Sequence, residues 1–330
     1  CEPDRHGRAH APDWRAEGPH RHAVDQALRT CAPAPGSRLG RGSVPTRAPG
    51  GVEFTPGPDT GAGAELPNVR RTPRHALPGP RRRAQMPDTA QSAHALVERI
   101  RSHDFSFVPA TQMRPLLGAD AEAGWPAFAD SWNRLELDTY MGDGGRYRRR
   151  RYATLSAGPG DAALQVEPHQ PHYQSLEYNR LNGGIARHFA PIEPAVRDGA
   201  TMQAALALGL AVFRGLHPGA AAHVEVHQFR IEARADTVGR PTPEGAHRDG
   251  VDFVLVLLVD RRNVDRGTTE IFDRAQRRLD SFTLTAPGDT ALVDDQRALH
   301  GVTPIAPLDP AQPAWRDVLV ATYRRVPPDA

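Results

Sequence analysis

The final third of the chain constrains the fold more than any other part of the sequence, because it consists almost entirely of short β-rich segments and turns. Residues 251–259 are dominated by valine and leucine, which predicts a strand buried on both faces. Residues 223–231 alternate valine with polar and aromatic residues, as a strand with two different faces does. Shorter strands, separated by Gly, Pro and Asp turns, are predicted at residues 268–272, 281–285, 290–293, 302–305 and 318–323.

Helices are predicted ahead of these strands. Apolar residues recur at helical spacing in residues 92–100, 110–117, 124–137 and 194–216. Pro194 suits the first turn of the last helix, and the Pro-Gly pair after His217 ends it. Residues 146–155 alternate instead and predict a strand. Helices followed by about eight short strands favour an antiparallel double sheet, so we expect a mainly β (α+β) jelly roll, the double-stranded β-helix, with flanking N-terminal helices.

The composition of the chain changes near Met86, the first methionine. Residues 1–85 are rich in Pro, Gly, Ala and Arg and carry 14 arginines against 8 acidic residues. We expect this segment to be a non-native upstream extension or a disordered tail, since its composition cannot offset the entropy of ordering. Residues 86–330 are expected to form one domain, with a helical cap at about 88–137 and a jelly roll at about 140–326.

Charge and cysteine usage exclude several classes of protein. The chain has no lysine, and residues 86–330 contain 27 basic and 31 acidic residues, which argues against a nucleic-acid partner. Cys1 and Cys31 both precede the domain, which therefore has no disulfide and no thiolate metal site. No apolar run is long enough for a membrane helix, and the start lacks a signal-peptide core. We expect a cytoplasmic enzyme that acts on a small molecule.

Three residues form a candidate metal site. His247 and Asp249 are two positions apart, so on extended backbone both side chains project from one face. His300 follows Asp249 by 51 residues, which suits a return across a jelly roll several strands later. Two imidazoles and one carboxylate leave the opposite octahedral positions open, which suits Fe(II) binding a 2-oxo acid and O₂ together. A His-x-Asp pair alone is a weak signal; its position before a buried strand strengthens it.

Arg316 is the candidate anchor for 2-oxoglutarate. An enzyme that uses this co-substrate needs a cation for the distal carboxylate, and Arg316 follows His300 by 16 residues at the head of the last predicted strand. The planar guanidinium can hold a carboxylate through two hydrogen bonds, which lysine cannot do.

Other residues are candidates for substrate binding. Arg230 and Gln228 lie on the strand before the metal loop, where they would face the barrel lumen. Arg230 would then bind a substrate carboxylate; the alternative is a structural ion pair with Glu225, Glu232 or a similar acid. Tyr152 would line the entrance, although aromatic residues on sheets more often belong to the core.

Two further patterns are open to more than one interpretation. Asp294 and Asp295 would orient His300 or another ligand, or would form a turn. The arginine run 148–151 favours a strand with alternating arginines, some paired inside and some solvated, over a polyanion-binding site.

Six motifs, taken together, resemble a known family. They are residues 132–140 (WNRLELDTY), 143–148 (DGGRYR), 178–185 (YNRLNGGI), 225–230 (EVHQFR), 243–250 (PEGAHRDG) and 300–305 (HGVTPI). The chain from about Phe105 to Tyr323 is similar to the bacterial 2-oxoglutarate/Fe(II) dioxygenases that include the L-isoleucine hydroxylases. Where relatives tend to have Gly-Gly-Glu after the buried strand, this chain has Arg-Gly-Thr at 266–268, which is expected to alter a loop at the barrel mouth and leaves the identity of the substrate open.

The resemblance implies a double-stranded β-helix with Fe(II), 2-oxoglutarate and O₂, and hydroxylation of a free, aliphatic L-amino acid with release of succinate and CO₂. It implies His247, Asp249 and His300 as iron ligands and Arg316 as the 2-oxoglutarate anchor. The alternatives are another metal-dependent jelly-roll enzyme of the cupin type, which has no need of Arg316, and a non-catalytic barrel that binds a small molecule.

Overall fold

The computed structural model describes residues 89–327, so the prediction for residues 1–85 lies outside the described part of the chain. The helices are α1 (Thr89–His103), α2 (Ala110–Leu117), α3 (Ala119–Asp130), α4 (Pro194–Arg197) and α5 (Ala200–Leu216), with a 3₁₀ helix at Ser131–Arg134. The strands are β1 (Phe105–Val108), β2 (Glu136–Leu137), β3 (Arg148–Ala157), β4 (Gln165–Val166), β5 (Ala221–Ala233), β6 (Phe253–Arg262), β7 (Val264–Arg266), β8 (Thr268–Asp273), β9 (Arg278–Thr283), β10 (Thr290–Asp294), β11 (Ala298–Val302), β12 (Ile305–Pro307) and β13 (Ala314–Val326).

Two antiparallel sheets form the barrel. The larger sheet has the strand order β1-β10-β6-β13-β5-β3-β2, with β4 added beside β3. The smaller sheet has the order β11-β8-β9, and a separate pair joins β12 to β7. Val254 of β6 packs with Ile271 of β8 and Ala298 of β11, so the two sheets face each other across a shared core. This arrangement confirms the predicted jelly roll.

The helices cover the outer face of the larger sheet. Ile100, Phe128 and Phe213 from α1, α3 and α5 belong to one apolar cluster that includes Leu255 and Leu257 of β6. None of the helices that the structure describes is long and apolar enough to cross a membrane. The flanking helices of the predicted fold are therefore confirmed, and they bury the outer side of the sheet.

Strand β6 is apolar on both faces, as the sequence predicted. Leu255 and Leu257 point to the helices, whereas Val254 and Leu258 belong to clusters on the barrel side. Successive side chains of a strand project to opposite faces, and here both faces are covered. The continuous apolar run is the consequence of this two-sided burial.

Two predicted helices end or break earlier than expected. The helix predicted at 124–137 ends at Asp130, because the chain turns through the 3₁₀ helix and Leu137 then pairs with Arg149 at the sheet edge. The helix predicted at 194–216 is interrupted at Gly199, whose backbone is extended. In both cases the apolar residues that suggested a helix are buried, but the backbone does not continue the helical hydrogen-bond pattern through the whole predicted range.

Helix α5 is fixed to the sheet at one close contact. The Tyr323 hydroxyl of β13 donates a hydrogen bond to the Leu206 carbonyl oxygen at 3.0 Å. A Cβ atom at Gly209 would collide with the same hydroxyl, so only glycine allows the helix to lie this close to the strand.

Candidate active site

His247, Asp249 and His300 come together at one edge of the smaller sheet. The backbones of His247 and His300 exchange two hydrogen bonds, of 3.0 and 2.9 Å, so the metal loop adds a short strand beside β11. Asp249 Oδ1 lies 3.5 Å from His247 Nε2, and Asp249 Oδ2 lies 3.5 Å from His300 Nε2. The three candidate ligand atoms all lie within 4.8 Å of one another. The spacing in the sequence predicted this convergence.

The orientation and charge of these groups suit a metal ion. His247 Nδ1 lies 3.0 Å from the Gly245 carbonyl oxygen, which holds the Nδ1 proton, so Nε2 faces Asp249 and is the nitrogen whose proton a metal ion would displace. Burial works to lower the pKa of His247, but Asp249 and Glu244 outweigh it and raise the pKa to about 10. Burial works to raise the pKa of Asp249, yet His247 holds it below its usual range. The carboxylate is therefore ionised at neutral pH.

The third ligand completes a donor set that fits Fe(II). Burial, followed by the charge of His247, lowers the pKa of His300 to about 4, so its imidazole is neutral. Two imidazole nitrogens and one carboxylate oxygen form the facial set that non-haem iron uses, with positions left for other ligands.

Asp295 holds the loop that carries Asp249. Its carboxylate is fully buried and accepts hydrogen bonds from the backbone N–H groups of Asp249, Gly250 and Val251, at 2.9, 2.8 and 3.1 Å. Asp294, in contrast, accepts a bond from the Gln296 backbone N–H and shapes the turn after β10. Of the two interpretations that the sequence left open, the structure gives one to each residue: Asp295 positions the ligand loop, and Asp294 forms the turn.

A cavity of about 330 Å³ opens onto the three metal-site residues, and Arg316 also lines it. The Arg316 side chain is 2% exposed, and its Nε and Nη2 atoms have no hydrogen-bond partner within the described part of the chain. Burial, followed by the charge of Arg261, lowers the pKa of Arg316 to about 10, which still leaves it cationic at neutral pH. A buried cation without a partner is costly, so this group requires an anionic ligand.

The tripeptide Arg-Gly-Thr at 266–268 lies beside this arginine. Gly267 is buried at a φ of 76°, and a Cβ atom there would lie 3.1 Å from Arg261 Nη1 and 3.7 Å from Arg316 Cδ. The Arg-Gly-Thr tripeptide therefore lies next to the Arg316 side chain.

Arg230 and Gln228 lie on the other face of β5 from the cavity. Arg230 donates to both oxygens of Asp317, at 2.8 and 2.7 Å, and Gln228 donates to the Ser131 hydroxyl at 2.8 Å. The cavity is lined by the odd-numbered residues of β5 from His223 to Ile231, so strand alternation turns Arg230 and Gln228 away from it. The structural ion pair that the sequence left open for Arg230 is present, with Asp317 as partner.

Tyr152 is buried and reaches the cavity through another residue. Its hydroxyl donates to Glu225 Oε1 at 2.7 Å, and Glu225 is a wall residue of the cavity. The predicted alternation of the arginine run is confirmed: Arg148 and Arg150 are buried, whereas Arg149 and Arg151 are partly exposed.

The sequence did not single out a second cluster in the cavity, formed by His172, Glu225 and His227. Their candidate ligand atoms also lie within 4.8 Å of one another. However, an Arg150 nitrogen lies 2.6 Å from His227 Nδ1, and burial followed by the charge of Arg150 lowers the pKa of His227 well below its usual value. The positive charge of Arg150 also repels a metal ion. We therefore interpret this cluster as a hydrogen-bonded wall of the cavity. In the sequence, the alternation of polar residues along 223–231 was the feature from which this cluster could have been predicted.

A jelly roll that places two histidines and an aspartate around one point, with an arginine in the same cavity, defines a mononuclear non-haem oxygenase architecture. A model of the 2OG-Fe dioxygenase family matches residues 129–322. The chain belongs to this family, and it is a 2-oxoglutarate-dependent dioxygenase whose cofactors are Fe(II) and 2-oxoglutarate, with O₂ as oxidant.

Relatives support the same family. The chain is 24% identical over 198 residues to 3(1)-hydroxy-L-isoleucine 4-dioxygenase of Pantoea ananatis, a match that covers 59% of this chain and 78% of the relative. It is 39% identical to a crystallised bsmA homolog from Methylobium petroleophilum PM1, with a TM-score of 0.63, over 70% of this chain and 92% of that chain. IDO from Bacillus thuringiensis has the same fold, at 18% identity and a TM-score of 0.61, over 71% of this chain and all of that chain.

Proposed function

We propose that this dioxygenase hydroxylates an aliphatic C–H bond of a free L-amino acid or a similar small molecule. Iron would be held by His247, Asp249 and His300, and Arg316 would hold the distal carboxylate of 2-oxoglutarate. The observation that carries the proposal is that one cavity contains both the converged ligand atoms and a buried arginine whose Nε and Nη2 atoms have no hydrogen-bond partner among residues 89–327. The named activity of the Pantoea relative, on a hydroxylated isoleucine, supports an amino acid as the substrate.

Each residue has a separate role in this proposal. When bound, iron and 2-oxoglutarate supply the oxidising chemistry, in which decarboxylation to succinate and CO₂ is coupled to insertion of one oxygen atom into a C–H bond. His247 presents Nε2 because its Nδ1–H is fixed on Gly245, and Asp295 fixes the backbone of Asp249. Arg316 orients the co-substrate by a bidentate contact.

The cavity walls suit an aliphatic group beside polar ends. Val256, Val318 and Val320 line the cavity together with the metal-site residues, and they come from neighbouring strands β6 and β13 of the larger sheet. Apolar walls exclude water from the C–H bond, and the small volume of about 330 Å³ favours a small substrate.

A succinate-release screen tests the proposal. The protein, reconstituted anaerobically with Fe(II), is given 2-oxoglutarate, O₂ and each of the twenty L-amino acids in turn, and the product mass is measured. We expect succinate with at least one amino acid and a product heavier by one oxygen atom. A cupin-type enzyme would release no succinate, and a non-catalytic barrel would bind ligands without turnover; either outcome would refute the proposal.

A further inference from the structure

A second arginine in the cavity, Arg187, has no salt-bridge partner in the described part of the chain. Its side chain is 2% exposed and lines the same cavity as the metal-site residues. Within residues 89–327 its Nε atom has no hydrogen-bond partner, and its one side-chain hydrogen bond runs from Nη2 to Gln174 Oε1 at 3.4 Å. Its guanidinium also lies 6.0 Å from the centre of the Phe189 ring. Among residues 89–327, no carboxylate oxygen lies within 4.0 Å of its guanidinium.

The carboxylates around Arg187 are engaged by other residues. Arg148 is paired with the buried Asp138 at 2.7 Å, and Arg150 lies 3.7 Å from the same carboxylate. Glu225 is held by hydrogen bonds from Tyr152 and His172.

The third carboxylate that acts on Arg187, Glu244, lies 3.5 Å from His247 Nε2, and of the three arginines Arg187 has the guanidinium with the fewest contacts. Burial, followed by the charge of Arg148, lowers the pKa of Arg187, whereas Asp138, Glu225 and Glu244 act to raise it. A buried guanidinium in this condition requires an anion, and its planar fork matches a carboxylate.

Arg187 is also close to the metal site. Gln174 accepts from Arg187 through Oε1, and its Nε2 lies 3.4 Å from Asp249 Oδ1. Asn179 donates to the same Gln174 oxygen at 3.0 Å and fixes the orientation of the amide. A carboxylate on Arg187 would therefore lie about one side chain away from a metal ligand, which suits a substrate whose reacting carbon is a few bonds from its carboxylate.

We propose that Arg187 binds the α-carboxylate of the primary substrate, so that the enzyme takes a free α-amino acid rather than a residue within a peptide. This inference rests on the proposed function, because it assigns Arg316 to 2-oxoglutarate and leaves Arg187 for the second carboxylate. The division gives each of these two buried arginines of the cavity its own anion.

The test compares four proteins: the wild type, Arg187→Met, Arg187→Lys and the control Arg180→Met, which replaces an exposed arginine of the same segment. Each is assayed for succinate release with the twenty L-amino acids and with their carboxamides. Binding of 2-oxoglutarate to the Fe(II)-loaded protein is measured separately by anaerobic absorbance titration, and thermal stability is measured without ligands.

We expect the wild type to turn over a free amino acid and to reject its carboxamide. In Arg187→Met the KM for that amino acid should rise about 100-fold or more, while the KM for 2-oxoglutarate stays within about twofold, because only one anion site is lost. Arg187→Lys should be intermediate, and Arg180→Met should match the wild type. The ligand-free Tm of Arg187→Met should equal or exceed that of the wild type, since an uncompensated buried charge is removed.

The outcomes separate this inference from the proposed function. A wild type that neither binds 2-oxoglutarate nor releases succinate would overturn the proposed function itself. A wild type that binds 2-oxoglutarate but turns over no free amino acid would overturn both. If the wild type does turn over a free amino acid, the Arg187 inference alone is overturned when the carboxamides are accepted equally or when Arg187→Met leaves the KM for the acid unchanged. A rise in the KM for 2-oxoglutarate, or a fall in Tm, in Arg187→Met would show an anchoring or structural role instead.

Discussion

Replacing Asp295 by asparagine tests whether the loop that carries Asp249 is positioned by a single buried carboxylate. In the wild type, Oδ1 accepts one backbone N–H group and Oδ2 accepts two. An asparagine side chain offers one oxygen and an NH₂ group, so whichever way the amide is oriented, at least one N–H group of the loop faces a donor. A buried donor that loses its partner costs about 1–3 kcal/mol.

We expect this cost to appear mainly as weaker iron binding, because the loop can relax away from the position that places Asp249 between the two histidines. Replacement of such supporting groups typically lowers metal affinity about 10- to 100-fold, which corresponds to about 1.4–2.8 kcal/mol. The assay is anaerobic titration with Fe(II), followed by protein fluorescence and by metal content after desalting.

The matched control is Asp294→Asn, which changes the neighbouring carboxylate in the same way. Asp294 accepts only the Gln296 backbone N–H in the turn, and an amide oxygen can replace that contact. The control should bind iron as the wild type does. If Asp295→Asn also binds iron with unchanged affinity and has an unchanged Tm, the reasoning about the loop is wrong.

The remaining predictions concern other parts of the molecule. His247→Ala should lose bound iron while the fold survives, whereas His227→Gln should keep one iron per chain. If His227→Gln loses as much iron as His247→Ala, the second histidine cluster binds metal. Arg316→Lys should raise the KM for 2-oxoglutarate steeply, about 10-fold or more, because the bidentate contact is lost; a normal KM would place the anchor elsewhere. Gly209→Ala should destabilise the protein by roughly 2 kcal/mol through overpacking against Tyr323, and an unchanged midpoint of urea unfolding would contradict the close contact.

The fold was largely predictable from the sequence because strand alternation is a local signal. The apolar run at 251–259 predicted a strand covered on both sides, and β6 is covered by helices on one side and by the smaller sheet on the other. The end of the helix predicted at 124–137 was not predictable in the same way. Its apolar spacing continues to Leu135, but pairing of Leu137 with β3 decides where the backbone leaves the helix.

The candidate site was predictable in part for a similar reason. His247 and Asp249 share a short motif, whereas the need for an anion at Arg187 depends on which acids reach it in the folded chain. The placement of Arg230 was within reach of the sequence: Val224 and Val226 mark the core face of β5, and even-numbered Arg230 lies on that face, near the end of the strand. The polar, odd-numbered positions were the ones that line the cavity.

In the strands of the larger sheet that are buried on both faces, one residue lines the cavity and the next packs against the helices. Along β13, Val318 and Val320 line the cavity, whereas Leu319 between them packs under the helices. Variation at every second position can therefore reshape the space around a ligand while the interface that joins sheet and helices stays the same. A barrel of this kind can acquire a new specificity without first rebuilding the support on which its folding depends.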